Sequence, residues 1–231
     1  MVFNSLQFLV FFGIVTLAYF LMAHKYRWLL LLLASCYFYM AFVPIYLGIL
    51  ALTIVIDYFA GILLEQHEGQ TKKWILALSI VANVGVLAAF KYYQFILNNI
   101  SWFAHLLDIP VQMPVLSILL PIGLSFHTFQ AMSYTIEVYR GNQKAERNFG
   151  IYSLYVMFYP QLVAGPIERP QNLIHQFYER KQWDRHRVQS GLLQMAIGIF
   201  KKVVIADRLA MVVDEVYGNV GEQSGTNLAV A

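Results

Sequence analysis

The sequence predicts an all-α, polytopic transmembrane helical protein with a re-entrant segment. Three observations predict this fold class: an apolar composition, several apolar runs of membrane-spanning length, and cations confined to alternate loops. Apolar residues make up 59% and charged residues 13% of the chain, against about 45–50% and about 25% in soluble domains. The formal net charge of +3 is small, and no polar domain with clustered cations is present, so a nucleic-acid partner is excluded.

Five apolar runs are long enough to cross a bilayer, some of them with the help of tilt. A bilayer core needs about 20 helical residues, because each residue adds about 1.5 Å to a thickness of roughly 30 Å. Pro44 separates the second run from the third and predicts a tight helical hairpin. The predicted spans are Ser5–Ala23, Trp28–Phe42, Ile45–Leu64, Trp74–Ile100 and Val115–Tyr139.

Basic residues occur only in alternate loops between these spans. His24–Arg27, Gln66–Lys73 and Gly141–Gly150 contain lysine or arginine, whereas the turn at Pro44 and the stretch Ser101–Pro114 contain neither. Positively charged loops stay in the cytoplasm. The sequence therefore predicts a protein of the plasma (bacterial inner) membrane with its N-terminus outside.

The apolar segment Ile151–Ala164 is too short for an ordinary span. Its 14 residues would cover only about 21 Å as a helix. A full crossing would also place five cations outside, which the preceding loops do not allow. They are Arg169, Arg180, Lys181, Arg185 and Arg187. We therefore expect a re-entrant segment or a short buried helix, and a binding site beside it, because irregular backbone at this depth needs protein or a water-filled cavity around it.

Polar residues gather in the predicted span that follows Pro121 and Gly123. These two residues should kink or unwind the helix. His127, Gln130 and Tyr134 follow at spacings of three and four, so they share one helical face. Such a face is typical of a cavity wall, and it is equally typical of hydrogen bonding between helices.

Other ionisable groups within the spans are expected to have structural roles. Asp57 lies near the predicted cytoplasmic end of its span and is expected to pair with Lys72 or Lys73. Glu137 is expected to form a local salt bridge at the inner boundary. No histidine pair has zinc-site spacing, so no metal is expected.

Three phrases of the chain resemble hallmarks of the membrane-bound O-acyltransferase (MBOAT) family. The residues of these phrases and their order along the chain fit the alginate O-acetyltransferase-like branch over nearly all of the sequence. The phrases are Leu120–Gln130 continued by Tyr134–Gly141, Phe158–Arg169, and Lys201–Ala210, and Met1–Ser5 and Phe90–Tyr92 fit as well.

The resemblance implies that residues 1–231 form a single transmembrane domain, the N-terminal half of an MBOAT-type fold. Members of the family are about twice this length, and their catalytic histidine lies in the C-terminal half. That residue is thus expected beyond residue 231, and this piece is expected to be inert alone. At position 127 this branch more often has phenylalanine or tyrosine, so His127 is a departure.

The same resemblance implies transfer of an acyl group, most simply acetyl, to a hydroxyl of a polysaccharide or other acceptor. The donor would be acetyl-CoA or an acyl-carrier thioester used as a substrate, and no cofactor is expected to stay bound. Membrane lipid, acyl-carrier proteins and export proteins are the implied partners. The residues expected to contact substrate are His127, Gln130, Tyr134, Gln161, Glu168 and Arg169.

Two interpretations from other classes stay open at this point. Broken helices with polar residues at mid-membrane depth also form the substrate sites of secondary transporters, although the matched interrupted segments of repeated transporter halves are not evident here. The other interpretation is a structural subunit of an exopolysaccharide export assembly. A histidine flanked by apolar residues downstream of residue 231 would favour the enzyme.

The charge asymmetry generates a topology prediction. A cysteine introduced at Asp108 should react with an impermeant thiol reagent applied from outside, and one at Gln143 should stay protected, because only the second lies in a positively charged loop. Labelling of whole cells checks this. The opposite labelling pattern would overturn the orientation.

Overall fold

The computed structural model describes residues 3–41, 44, 46–106, 123–162 and 165–230. Within these ranges the chain is helical and contains no strand, which confirms the predicted all-α class. The described residues divide into two compact units. One lies between residues 14 and 180, and the other combines the residues up to 13 with those from 181 onward.

Among the described residues, eight helices end before residue 181; the first three correspond to the first three predicted spans, and one later span is a clear exception. The eight helices are α1 (Leu6–Leu21), α2 (His24–Met40), α3 (Tyr46–Gln66), α4 (Gly69–Lys91), α5 (Tyr93–Leu106), α6 (Leu124–Tyr139), α7 (Phe149–Met157) and α8 (Pro170–Tyr178). By length and composition, α3 and α4 could each cross a membrane, and α1 is apolar but shorter. Crossing by the other helices stays a prediction.

The exception is the predicted span Trp74–Ile100, which is wrong as a single helix. The chain forms α4 and α5 instead, separated at Tyr92, whose φ of −112° and ψ of 9° are not helical. Lys91 occupies the last turn of α4, where a cation stabilises the exposed carbonyl groups. The loop predicted at Gln66–Lys73 is also shorter, because α4 already begins at Gly69.

The first part of the predicted span Val115–Tyr139 lies outside the described residues, as does Pro121. The described part of this span is α6, which follows Gly123. Gly123 has a φ of +79°, a left-handed conformation that glycine adopts without strain.

The segment predicted to be re-entrant contains the short helix α7. Asn148 caps its N-terminus, since the side-chain oxygen accepts hydrogen bonds from the backbone amides of Gly150 (2.9 Å) and Ile151 (3.3 Å). Every residue of 151–157 is buried. The short buried helix is thus one of the two expected forms, and re-entry into a membrane stays a prediction.

The core of the unit between residues 14 and 180 is built around α3 and α6. These two helices pack against each other and against α4, while α7 packs against α2, α3, α6 and α8. The largest buried side chains at the centre are those of Tyr134, Tyr152 and Tyr155, each with no exposed surface.

The second unit contains a long, exposed helical segment. It comprises α9 (Arg185–Phe200), a π-helical stretch (Lys201–Ala206), α10 (Asp207–Gly218) and, after a short 3-10 turn, α11 (Gly225–Val230). Asp184 caps α9 by accepting from the backbone amide of His186 at 2.8 Å. Lys202 pairs with Asp207. The π-helical stretch coincides with the third family phrase, and such stretches often occur at functional sites.

The packing of α3 on α6 predicts an asymmetric response to alanine within one helix. At Gly61 an added β-carbon would lie 2.6 Å from Cε1 of Tyr134, whereas at Gly48 nothing lies within 4 Å. Tyr134 is fully buried and has no room to move. Gly61→Ala should therefore destabilise the protein by about 1–3 kcal/mol, and Gly48→Ala should be neutral or stabilising by up to about 1 kcal/mol.

Thermal unfolding of the two variants in detergent, compared with the unmodified protein, checks this. Equal melting temperatures for both variants would contradict the close contact between α3 and α6.

Candidate functional site

The polar face predicted on α6 is present, and it faces inward. His127, Gln130 and Tyr134 are each at most 1% exposed. Their common orientation follows from the spacing of three and four residues. The structure therefore brings these three predicted site residues together on one buried face.

His127 lies one turn into α6, against a turn that requires glycine. Its backbone amide donates to the Gly123 carbonyl at 2.9 Å. A β-carbon at Gly123 would lie 2.6 Å from the carbonyl oxygen of Leu162 and 3.3 Å from Nε2 of His127. The absence of a side chain thus lets the chain near Leu162 approach the imidazole closely.

The imidazole of His127 occupies an aromatic slot with unpaired polar atoms. The Tyr39 ring packs edge-to-face on it, with centroids 5.6 Å apart. Neither ring nitrogen makes an ordinary hydrogen bond with the described residues, and neither does the Tyr39 hydroxyl; the Val156 backbone contributes only a weaker polar contact. Leaving such groups unpaired costs about 1–3 kcal/mol each, so this position suits water or a polar group of a ligand.

Gln130 connects α6 to the segment that precedes α8. Its side-chain oxygen accepts from the backbone amide of Glu168 at 3.2 Å. The Tyr155 hydroxyl donates to the Glu168 carbonyl at 2.9 Å. The amide nitrogen of Gln130 is buried and has no partner among the described residues. Two of the predicted site residues, Gln130 and Glu168, are therefore in direct contact.

Tyr134 makes contacts that hold the fold together. Its hydroxyl accepts from the backbone amide of Glu146 at 2.8 Å. Its ring lies 4.5 Å from that of Tyr152, centroid to centroid, and it covers Gly61. The observed role of Tyr134 is structural, and a role in binding substrate stays a prediction.

The remaining predicted residues lie along the chain from Gln161 to Arg169. The side-chain oxygen of Gln161 is buried without a partner among the described residues, and its neighbour Leu162 contacts the Gly123 turn. The Glu168 carboxylate accepts from the side chain of Asn172. Arg169 is exposed and directly precedes α8. The structure thus places Gln161 at the His127 end of the face and Arg169 at the surface.

Two carboxylates near the C-terminal end of α6 accept several hydrogen bonds that the sequence did not predict. Glu137 accepts from Asn142 at 2.9 Å and Arg140 at 3.3 Å, as well as from Gln171. The local salt bridge predicted for Glu137 is therefore confirmed. Its contact with Gln171, 34 residues away in sequence, could not be read from local spacing.

The second of these carboxylates, Glu146, is almost fully buried. It accepts from the Tyr178 hydroxyl at 2.7 Å and from the backbone amide of Asn148 at 2.8 Å. Burial, and then the Glu146 carboxylate, raise the pKa of Tyr178. No sequence signal marked Glu146, because it lies in a predicted polar loop.

The predicted pairing of Asp57 with Lys72 or Lys73 is wrong. Asp57 accepts from Ser79 at 2.6 Å and from Asn83 at 2.8 Å instead. Lys72 lies over the Tyr139 ring, 5.4 Å from its centroid. Within the described residues, no group of three or more histidine, cysteine, aspartate or glutamate side chains could hold a metal ion.

The helical fold and the two apolar helices of spanning length fit a helical membrane protein. Comparison with known proteins identifies its relatives. The chain is 36% identical to a protein named "Probable alginate O-acetylase AlgI" from Azotobacter vinelandii, over 94% of this chain and 44% of that protein. It is 36% identical to the protein of the same name from Pseudomonas aeruginosa, over 94% of this chain and 42% of that protein.

A third relative is named for a different acceptor. The chain is 33% identical to a "Peptidoglycan O-acetyltransferase" from Helicobacter pylori, over 80% of this chain and 39% of that protein. These relatives confirm the resemblance to the alginate O-acetyltransferase-like branch. The chain spans less than half the length of the curated relatives it matches. No family model matches the chain, and no solved structure matches it significantly.

The Gln130 contact generates a prediction about the segment before α8. Gln130→Leu keeps the volume but leaves the part-buried Glu168 amide without its acceptor, which should cost about 0.5–1.5 kcal/mol. Amide hydrogen exchange in residues 165–169 should accelerate. Gln189→Leu is the matched control, since Gln189 is exposed.

Mass-spectrometric hydrogen exchange of both variants checks this prediction. Unchanged protection of residues 165–169 in Gln130→Leu would show that the contact does not hold this segment.

Proposed function

We propose that this chain is part of a membrane-bound O-acetyltransferase. The enzyme transfers an acetyl group from a cytoplasmic thioester to a hydroxyl of a cell-surface or exported polysaccharide. The observation that carries the proposal is the 36% identity, over 94% of the chain, to a protein named as an alginate O-acetylase. Peptidoglycan, the acceptor in another relative's name, belongs to the same chemical class of hydroxyl-bearing polymer.

The reaction requires a base and a bound, oriented donor. The acceptor oxygen attacks the thioester carbonyl, a C–O bond forms, the C–S bond breaks, and the hydroxyl proton passes to the base before it reaches the thiolate. The base must lie about 2.6–3.2 Å from the hydroxyl or one water away. By the resemblance, that base is a histidine beyond residue 231, so the residues described above contribute binding and orientation.

The buried face of α6 supports a role in binding a polar group of substrate. His127, Tyr39 and Gln161 carry buried polar atoms without hydrogen-bond partners among the described residues. A substrate oxygen or amide within reach would satisfy them, and their positions are fixed by packing before substrate arrives. Gln130 and Tyr134 hold this face in place, and Glu168 is fixed by Gln130.

The position of Arg169 supports a route by which the acyl donor approaches the site. It is exposed and directly precedes α8, close to the contact between Glu168 and Gln130. Acetyl-CoA and acyl-carrier thioesters both carry phosphate groups, which arginine binds through paired hydrogen bonds. Under the predicted orientation this surface faces the cytoplasm of a bacterium, and the N-terminus lies outside the inner membrane. Acyl-carrier and export proteins are the partners this arrangement would use.

Deletion of the gene tests the proposed function. The O-acetyl content of surface polysaccharide should fall in the deletion strain and recover when the complete gene is restored. Equal O-acetyl content with and without the gene would refute the proposal.

In the same strain, His127→Phe in the complete gene should lower acetylation by about two- to tenfold. Phenylalanine keeps the ring but removes both nitrogens, and a lost hydrogen bond of about 0.5–1.5 kcal/mol corresponds to that factor. Asp214→Asn is the control, because Asp214 is exposed in α10. Unchanged acetylation at normal expression would limit His127 to packing.

A plasmid that encodes residues 1–231 alone should not restore acetylation, because the expected base is missing. Acetylation by this piece, abolished by His127→Ala, would place the base within it.

A further inference from the structure

One buried carboxyl group in the helix bundle forms no ion pair with a cation among the described residues. Asp57, on α3, has no exposed surface. Its Oδ1 accepts from the Ser79 hydroxyl at 2.6 Å, and both of its oxygens lie 2.8 Å from the side-chain nitrogen of Asn83. Both partners lie on α4 and are themselves buried.

The helices around Asp57 offer it no positive charge. From α4 it meets only the neutral groups Ser79 and Asn83. From α7, Tyr152 is close enough to interact with it electrostatically, and from α6 the Tyr134 ring packs on Tyr152. Among the described residues, no lysine, arginine or histidine forms an ion pair with it. An ionised carboxylate in such a place costs several kcal/mol.

The same cluster contains two buried polar atoms without hydrogen-bond partners among the described residues. The side-chain oxygen of Asn83 is buried and unpaired, and so is the Tyr152 hydroxyl, among the residues that the structure describes. Asn83 commits its nitrogen to Asp57 and to the Ser79 carbonyl, 3.0 Å away, so its oxygen is the amide atom left over. Two imbalances therefore lie side by side. The Asp57 carboxylate would be a buried charge without a counter-charge, and the Asn83 side-chain oxygen is a buried acceptor without a donor.

We propose that Asp57 is a proton-binding site, held as a neutral carboxylic acid within the bundle. The bound proton sits on the carboxyl oxygen that Ser79 does not contact, and the resulting hydroxyl donates to the side-chain oxygen of Asn83. Since the Asn83 nitrogen is already equally close to both carboxyl oxygens, a small turn of the amide closes a carboxyl–amide pair with two hydrogen bonds. One proton removes both imbalances.

Infrared spectroscopy of the complete protein at neutral pH tests this proposal. A protonated carboxylic acid has a carbonyl stretching band separate from the bands of an ionised carboxylate, and the band shifts in deuterium oxide. The unmodified protein should show this band, and Asp57→Asn should lose it. Asp214→Asn, which changes an exposed carboxylate, should retain it.

Asn83→Leu provides a second variant that keeps the volume and the acid. The band should persist and move to higher frequency, because the acid loses its acceptor. Absence of an Asp57-dependent band in the unmodified protein would show an ionised carboxylate and overturn the proposal.

A bound sodium ion is the competing solution, since the free oxygens here are hard ligands. It would appear as a rise in melting temperature when sodium replaces choline, present in the unmodified protein and lost in Asp57→Asn. That result would also overturn the proposal. The measurements do not use acetyl transfer, so their failure leaves the proposed function untouched.

Discussion

The contact between α3 and α6 at Gly61 fixes the arrangement of the larger unit. Because Gly61 has no side chain, the Tyr134 ring lies directly against the α3 backbone. The ring also packs on Tyr152 of α7, and its hydroxyl accepts from the Glu146 amide in the loop after α6. One tyrosine thus joins three helices and a loop, so the depth at which α6 packs determines where His127 and Gln130 lie.

The two ends of α6 differ in how their polar groups are satisfied. At the C-terminal end, Glu137 accepts from three side chains, and nearby Glu146 accepts from Tyr178 and from the backbone. At the N-terminal end, the buried side chains of His127 and Tyr39 have polar atoms that make no ordinary hydrogen bond with the described residues. The two carboxylates at the C-terminal end are multiply hydrogen-bonded, which makes a rigid anchor, although Oε1 of Gln171 there is buried without a partner among the described residues. Under the proposed function, binding of a polar group of the substrate is therefore expected at the end of α6 near Gly123.

The local features of this fold could be predicted from the sequence, and the long-range contacts could not. Spacing predicted the shared face of His127, Gln130 and Tyr134, because helical periodicity is a property of neighbouring residues. The Asp57 partners are 22 and 26 residues away, so finding them requires the register of α3 against α4. The Gln130–Glu168 contact, 38 residues apart, depends on the path of the chain around α7. The break at Tyr92 was missed because long apolar runs lie on both sides of the short polar stretch Lys91–Gln94.

The side chain at position 127 must fit the shape of the slot, and histidine also brings two ring nitrogens into it. Its walls are the rings of Tyr39 and Phe126, both nearly perpendicular to the imidazole, and any flat aromatic side chain would fill it. Histidine adds only two nitrogens to that shape, and neither makes an ordinary hydrogen bond with the described residues. Unpaired buried nitrogens cost about 1–3 kcal/mol each, and under the proposed function a polar group of the substrate would supply the missing partner.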